Sequence, residues 1–157
     1  MLKLRKNKKG FTLVELIVVI AIMAVLAGTV AGVTVSQLNK QTDKTMATEA
    51  KTVADFISTK IMEEGYDFDT LSFLKADKTI DSASGIGKAL TDQYGDKVAL
   101  NGNGEKGKTI GVKYVTGSKT FIVRYIGKQG SNNGNIEYNV SDEAVVSKKS
   151  SGEAFSD

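Results

Sequence analysis

A chain of 157 residues with no internal repeat offers one modest water-soluble domain at most. It has neither cysteine nor histidine, which excludes a disulfide framework, thiolate or imidazole zinc sites, Cys or His nucleophiles and any Ser-His-Asp arrangement. The net charge of +3 is misleading: Lys3, Arg5, Lys6, Lys8 and Lys9 crowd the first nine residues, and without them 16 basic residues face 18 acidic ones, a net −2 for residues 11–157.

Residues 1–10, MLKLRKNKKG, form a basic leader ending in glycine. Residues 11–35 follow as FTLVELIVVIAIMAVLAGTVAGVTV, 25 residues with one charge, Glu15. As a helix rising 1.5 Å per residue the run is about 37 Å long, enough to cross a ~30 Å hydrocarbon core. Cations before it and none directly after it predict a cytosolic N-terminus, with everything beyond residue 36 facing outward.

From Ser36 to Glu64 there is no proline or glycine. Leu38, Met46, Ala50, Val53, Ile57 and Ile61 recur at the spacing of one helical face, with Lys40, Asp43, Lys44, Glu49, Lys51, Asp55 and Lys60 assigned to the opposite face. Lys44 with Glu49, or Lys51 with Asp55, would give weak surface pairs. Gly65 is the expected C-cap. The pattern predicts one helix over 11–64, apolar all round to residue 35 and amphipathic over 36–64.

Beyond Gly65 the signals are those of a small mixed head, 65–157. Residues 69–77 and 86–94 read as short helices or turns. Thr109–Val115, Thr120–Gly127 and Ile136–Val140 are rich in β-branched and aromatic residues and read as strands. The Thr116–Lys119 turn and a loop containing Asn133-Gly134 separate them. An antiparallel meander of three strands results, with Val98–Leu100 as a candidate fourth, one face covering the apolar stripe of the helix. Residues 141–157 read as a polar, mobile tail.

The sharpest motif is Lys8-Lys9-Gly10-Phe11-Thr12-Leu13-Val14-Glu15, running directly into the apolar segment. It resembles the class III signal of type IV pilins and the related secretion and competence pseudopilins. The resemblance implies a prepilin: peptidase cleavage between Gly10 and Phe11, methylation of the new amine on Phe11, and a glutamate at the fifth mature position, here Glu15. It implies a pilin fold, a long N-terminal transmembrane and amphipathic helix packed on a small antiparallel β-sheet head (α+β). It further implies a prepilin peptidase, a platform protein and assembly ATPases as partners. A single-pass membrane stage would precede a homo-oligomeric surface filament for adhesion, twitching motility or biofilm.

A carboxylate in a bilayer is expensive, so Glu15 asks for a partner. After cleavage the Phe11 amine of a neighbouring subunit is such a partner, and the pair would set the axial register of a filament. Otherwise Glu15 merely snorkels towards the cytosolic face. Two other readings account for less. A secretory signal needs a small-residue cleavage site, which Thr29-Val30-Ala31 resembles poorly. A plain signal anchor displaying a binding domain explains the span but neither Gly10-Phe11 nor Glu15. Gly28 and Gly32 are a small-xxx-small pair and also helix weak points. Many similar pilins break this helix with glycine and proline; Ala24 and Gly32 stand at those places here.

Residues 102–109, GNGEKGKT, match a phosphate-loop pattern, but such a loop must lead into a helix and TIGVKYV reads as a strand. No nucleotide is expected there. The pairs Asp67/Asp69 and Asp92/Asp96 lack calcium-loop spacing and read as caps or solvated surface. No duplex-sized basic stripe follows the leader, so nucleic acid is not expected as a partner. No catalytic residue, cofactor site or metal site is assigned: the chain reads as a structural subunit, a type IV pilus pilin first and a minor pilin or pseudopilin second.

Overall fold

The computed structural model describes residues 10–66, 68–102, 104–128 and 134–149. The leader before Gly10, Asp67, Asn103, Asn133 and residues 150–157 of the expected tail therefore lie outside the described residues. Two compact units emerge, Met1–Leu38 and Asn39–Asp157.

The helix α1 runs Leu13–Glu64 as one element of 52 residues. It ends where expected: Gly65 takes φ +58° and donates its N–H to Ile61 O at 3.1 Å. Only glycine enters that left-handed region without strain.

In the second unit, the α1 face Ala50, Val53, Ala54, Ile57 and Ile61 is buried. Met46 is half-buried, but Leu38 is 60% exposed, so the stripe that covers the head starts later than its periodicity suggests. Asp43, assigned to the solvent face, is instead 5% exposed. Lys51 does pair with Asp55 at 2.7 Å, whereas Glu49 faces Lys97 at 3.8 Å rather than Lys44.

Residues 69–77 form turns held by a Leu74–Ile80 bridge, and α2 covers Gly85–Tyr94. A 3₁₀ turn, Gly95–Lys97, leads to β1, Val98–Ala99. The other strands are β2, Ile110–Val115; β3, Thr120–Tyr125; β4, Ile136–Ser141; and β5, Val146–Lys148. They form one sheet in chain order.

Two corrections to the meander follow. β1 pairs with β2 in parallel, Val98 opposite Ile110, where a meander would make them antiparallel; two strands joined by a tight hairpin run antiparallel, and the connection here is longer than that. β5 is a strand inside the segment read as a polar tail. A tight turn creates it, with Ala144 at φ +62° and Ser141 N–H bonded to Val145 O at 3.1 Å. Ser58 of α1 donates to Ala144 O at 2.6 Å and fixes that turn.

Strand register places Ile110, Tyr125 and Ile136 in one row, Val112, Val123 and Tyr138 in the next, and Tyr114, Phe121 and Val140 in a third. All nine are buried. With Phe73, Ile86 and Leu90 they close over the α1 face in a single core. Each fully buried Val, Ile or Phe stabilises by about 1.5–3 kcal/mol. On the sheet's other face Arg124 and Glu137 form a buried cross-strand ion pair at 3.1 Å.

Candidate functional site

The chain's chemistry-bearing motif lies at the start of α1. Gly10 is exposed and Phe11 is 91% exposed, so the bond between them is open to a protein partner. Thr12 caps the helix. Glu15 Oε2 accepts the Thr12 N–H at 2.8 Å and the Thr12 hydroxyl at 2.9 Å, while Thr12 Oγ1 accepts the Glu15 N–H at 3.3 Å. This is a reciprocal capping box, which satisfies amides that helix geometry leaves without partners.

The reading of Glu15 from sequence missed this role. Its signal was present: Thr-x-x-Glu directly before an apolar run. Glu15 thus has an intrachain partner, Thr12, and is not an isolated charge. The capping box fixes where the helix starts, leaving Gly10 and Phe11 just outside it.

From Leu13 onward the apolar side chains are exposed on every side, none of the large ones below 46% up to Val35. An 18-residue window here has a mean hydropathy of 2.8, so α1 is long and apolar enough to cross a membrane. The hydroxyls in this stretch are internally bonded: Thr29 donates to Leu26 O at 3.0 Å and Thr34 to Val30 O at 2.8 Å. Such back-bonding lets hydroxyls face lipid without an unmet hydrogen bond. α1 is unbroken through Gly28 and Gly32, and apart from the adjoining helix backbone nothing crowds the place where a β-carbon would stand on either.

The glycine-rich segment 102–109 leads into β2, not a helix. Three of its amides are committed: Gly107 N–H goes to Ile126 O at 2.8 Å, and Lys108 and Thr109 N–H go to Glu105 O. Lys108 pairs with Glu105. Residues 105–109 form a turn anchored to Ile126. Of the acidic residues, Asp92 pairs with Lys88 and Asp69 with Lys119 at 2.8 Å. Among the described residues no three carboxylates converge on a common point.

Residues 5–31 match the family model described as the prokaryotic N-terminal methylation motif. No curated protein and no solved structure matches the chain. The motif points to a structural subunit rather than an enzyme, and to a membrane-associated substrate of a prepilin peptidase. An exposed Gly10-Phe11 junction, a capped helix start and a fully apolar span agree with that match: this chain carries the class III signal of type IV pilins.

Proposed function

We propose that the chain is a prepilin cut between Gly10 and Phe11, methylated on the Phe11 amine and polymerised into a type IV pilus. One observation supports this above the rest: residues 5–31 match the methylation motif while the same helix exposes apolar side chains all round to Val35. A membrane satisfies that surface first, and a filament core of identical helices satisfies it afterwards.

In this reading the domains keep the limits 1–10, 11–64 and 65–157. Glu15 has two successive tasks. Within the subunit it caps α1 through Oε2; in the filament the carboxylate meets the methylated Phe11 amine of a neighbour. Gly28 and Gly32 supply the places where α1 can loosen on assembly. The implied partners are the peptidase, a platform protein and assembly ATPases on the cytosolic side, with the finished filament outside the cell.

The test is the N-terminal peptide mass of the protein from its native membrane and from sheared surface filaments. A methylated chain beginning at Phe11 in both fractions is the expected result. Processed subunit confined to the membrane would instead place the chain among minor pilins or pseudopilins.

A further inference from the structure

The part of the head built around the first residues of its unit, from Asn39, carries cations that the assembly mechanism does not use. Lys40 and Lys44, one helical turn apart on α1, flank a groove of about 230 Å³ shared with Gly134 and Ile136. Between them Asp43 points inward, where its Oδ1 accepts the Tyr125 hydroxyl at 2.9 Å and the Lys128 N–H at 2.8 Å. That bond brings Lys128 to the same end. Gly107 packs directly against the Lys128 side chain, and its N–H bonds Ile126 O, which adds the neighbouring Lys106.

All four lysines are exposed, and among the described residues none forms an ion pair. The one acid between Lys40 and Lys44 is buried and hydrogen-bonded. Glu105, the acid beside Lys106, is paired with Lys108. The segment 11–157 is net acidic, so this end departs from the rest of the chain.

Chain connectivity decides what this patch meets. Lys40 follows Val35, the last residue of the apolar run, by five residues. Five residues span about 7.5 Å as helix and at most roughly 18 Å fully extended. While residues 11–35 are in a bilayer, Lys40 stays within that reach of the headgroup region, and Lys44 follows it by one helical turn. We infer that Lys40, Lys44, Lys106 and Lys128 form a docking surface for anionic phospholipid headgroups, holding the head of the membrane-resident subunit against the bilayer. The inference rests on the membrane-spanning reading of residues 11–35.

A lysine beside an anionic surface strengthens attachment about fivefold, so four acting together can bias the head strongly towards the membrane. Salt should weaken the contact, because the Debye length shrinks to about 3 Å at 1 M.

Because the chain contains no cysteine, Lys108→Cys offers a unique attachment point at this end for a fluorophore. The labelled full chain would be reconstituted in vesicles of phosphatidylcholine, or of the same lipid mixed with phosphatidylglycerol, each carrying a headgroup quencher. Quenching should be at least several-fold stronger with phosphatidylglycerol, fall in high salt, and drop to the neutral-lipid level when all four lysines are changed to Gln. Equal quenching in the two vesicle types would overturn the proposal while leaving the span intact. Quenching that followed protein density rather than lipid charge would assign the patch to a second copy of the chain and equally overturn it. Failure to float with neutral vesicles would overturn the membrane-spanning reading itself, and the headgroup contact with it.

Discussion

Asp43 and Tyr125, 82 residues apart, meet in a buried hydrogen bond of 2.9 Å. Asp43 is the first buried residue of α1, and Tyr125 is the last residue of β3. The same carboxylate oxygen accepts the Lys128 N–H. Gly134, at φ +79°, passes so close that a β-carbon there would stand 2.4 Å from Asp43 Oδ2. One carboxylate thereby ties the end of β3 and Lys128 beyond it to the helix, with Gly134 packed alongside.

Asp43→Ala strands a buried hydroxyl and a part-buried amide. Each unmet group costs about 1–3 kcal/mol, so the head should lose several kcal/mol of stability. Asp43→Asn keeps one carbonyl acceptor and should lose less. Urea denaturation of the full chain in detergent, followed by near-ultraviolet circular dichroism, measures both. An unchanged midpoint in Asp43→Ala would remove the clamp from the account of the fold.

Burial, and then the hydrogen bond and charge of Asp43, push the Tyr125 hydroxyl well above the ordinary value of 10.0. The folded state holds this proton more tightly than the unfolded chain. Its contribution is therefore complete below pH 10 and is lost as the pH rises beyond that value. Stability should decline on the alkaline side, and Tyr125→Phe should flatten part of the decline. Burial raises Tyr66, Tyr94 and Tyr114 too, so the remainder should persist. An alkaline limb identical in Tyr125→Phe and the parent chain would show that Tyr125 does not carry it.

Gly10→Val places a branched side chain at the expected scissile bond. Co-expression with a prepilin peptidase should yield only uncut, membrane-retained precursor, seen as a band larger by the ten-residue leader. Normal processing of that variant would mean that the peptidase does not cut here.

Glu15→Gln separates the two tasks assigned to this side chain. Glutamine still accepts the Thr12 N–H in a capping box but carries no charge. Helix content and cleavage after Gly10 should be unchanged, while surface filament yield should fall at least tenfold. Glu15→Ala should lose the cap as well. Full filament yield from Glu15→Gln would leave capping as the sole role of Glu15.

Lys108 pairs with Glu105 in a turn where the Gly107, Lys108 and Thr109 amides are already bonded. Lys108→Ala should leave filament yield unchanged and head stability within about 0.5 kcal/mol of the parent chain. Saturable ATP binding by the full chain, abolished in this variant, would contradict the reading of residues 102–109 as a closed turn.

What the sequence determined by itself is what local pattern encodes. The apolar run, the four-residue periodicity over 46–61, Gly65 as the stop and the three central strands all follow from residue type and spacing. So does the methylation motif, because a peptidase reads a short contiguous stretch. Tertiary structure decided the rest. Asp43 reads as a surface charge on its own helix; it is buried because Tyr125 at the end of a distant strand and Lys128 just beyond it arrive with donors to offer. β5 is polar and short, and exists because Ser58 on α1 and the Ala144 turn hold it beside β4. The parallel direction of β1 was not legible, because a glycine-rich connection encodes permission rather than direction. Arg124 and Glu137, charged residues within strands, become a buried pair only once register sets them opposite each other.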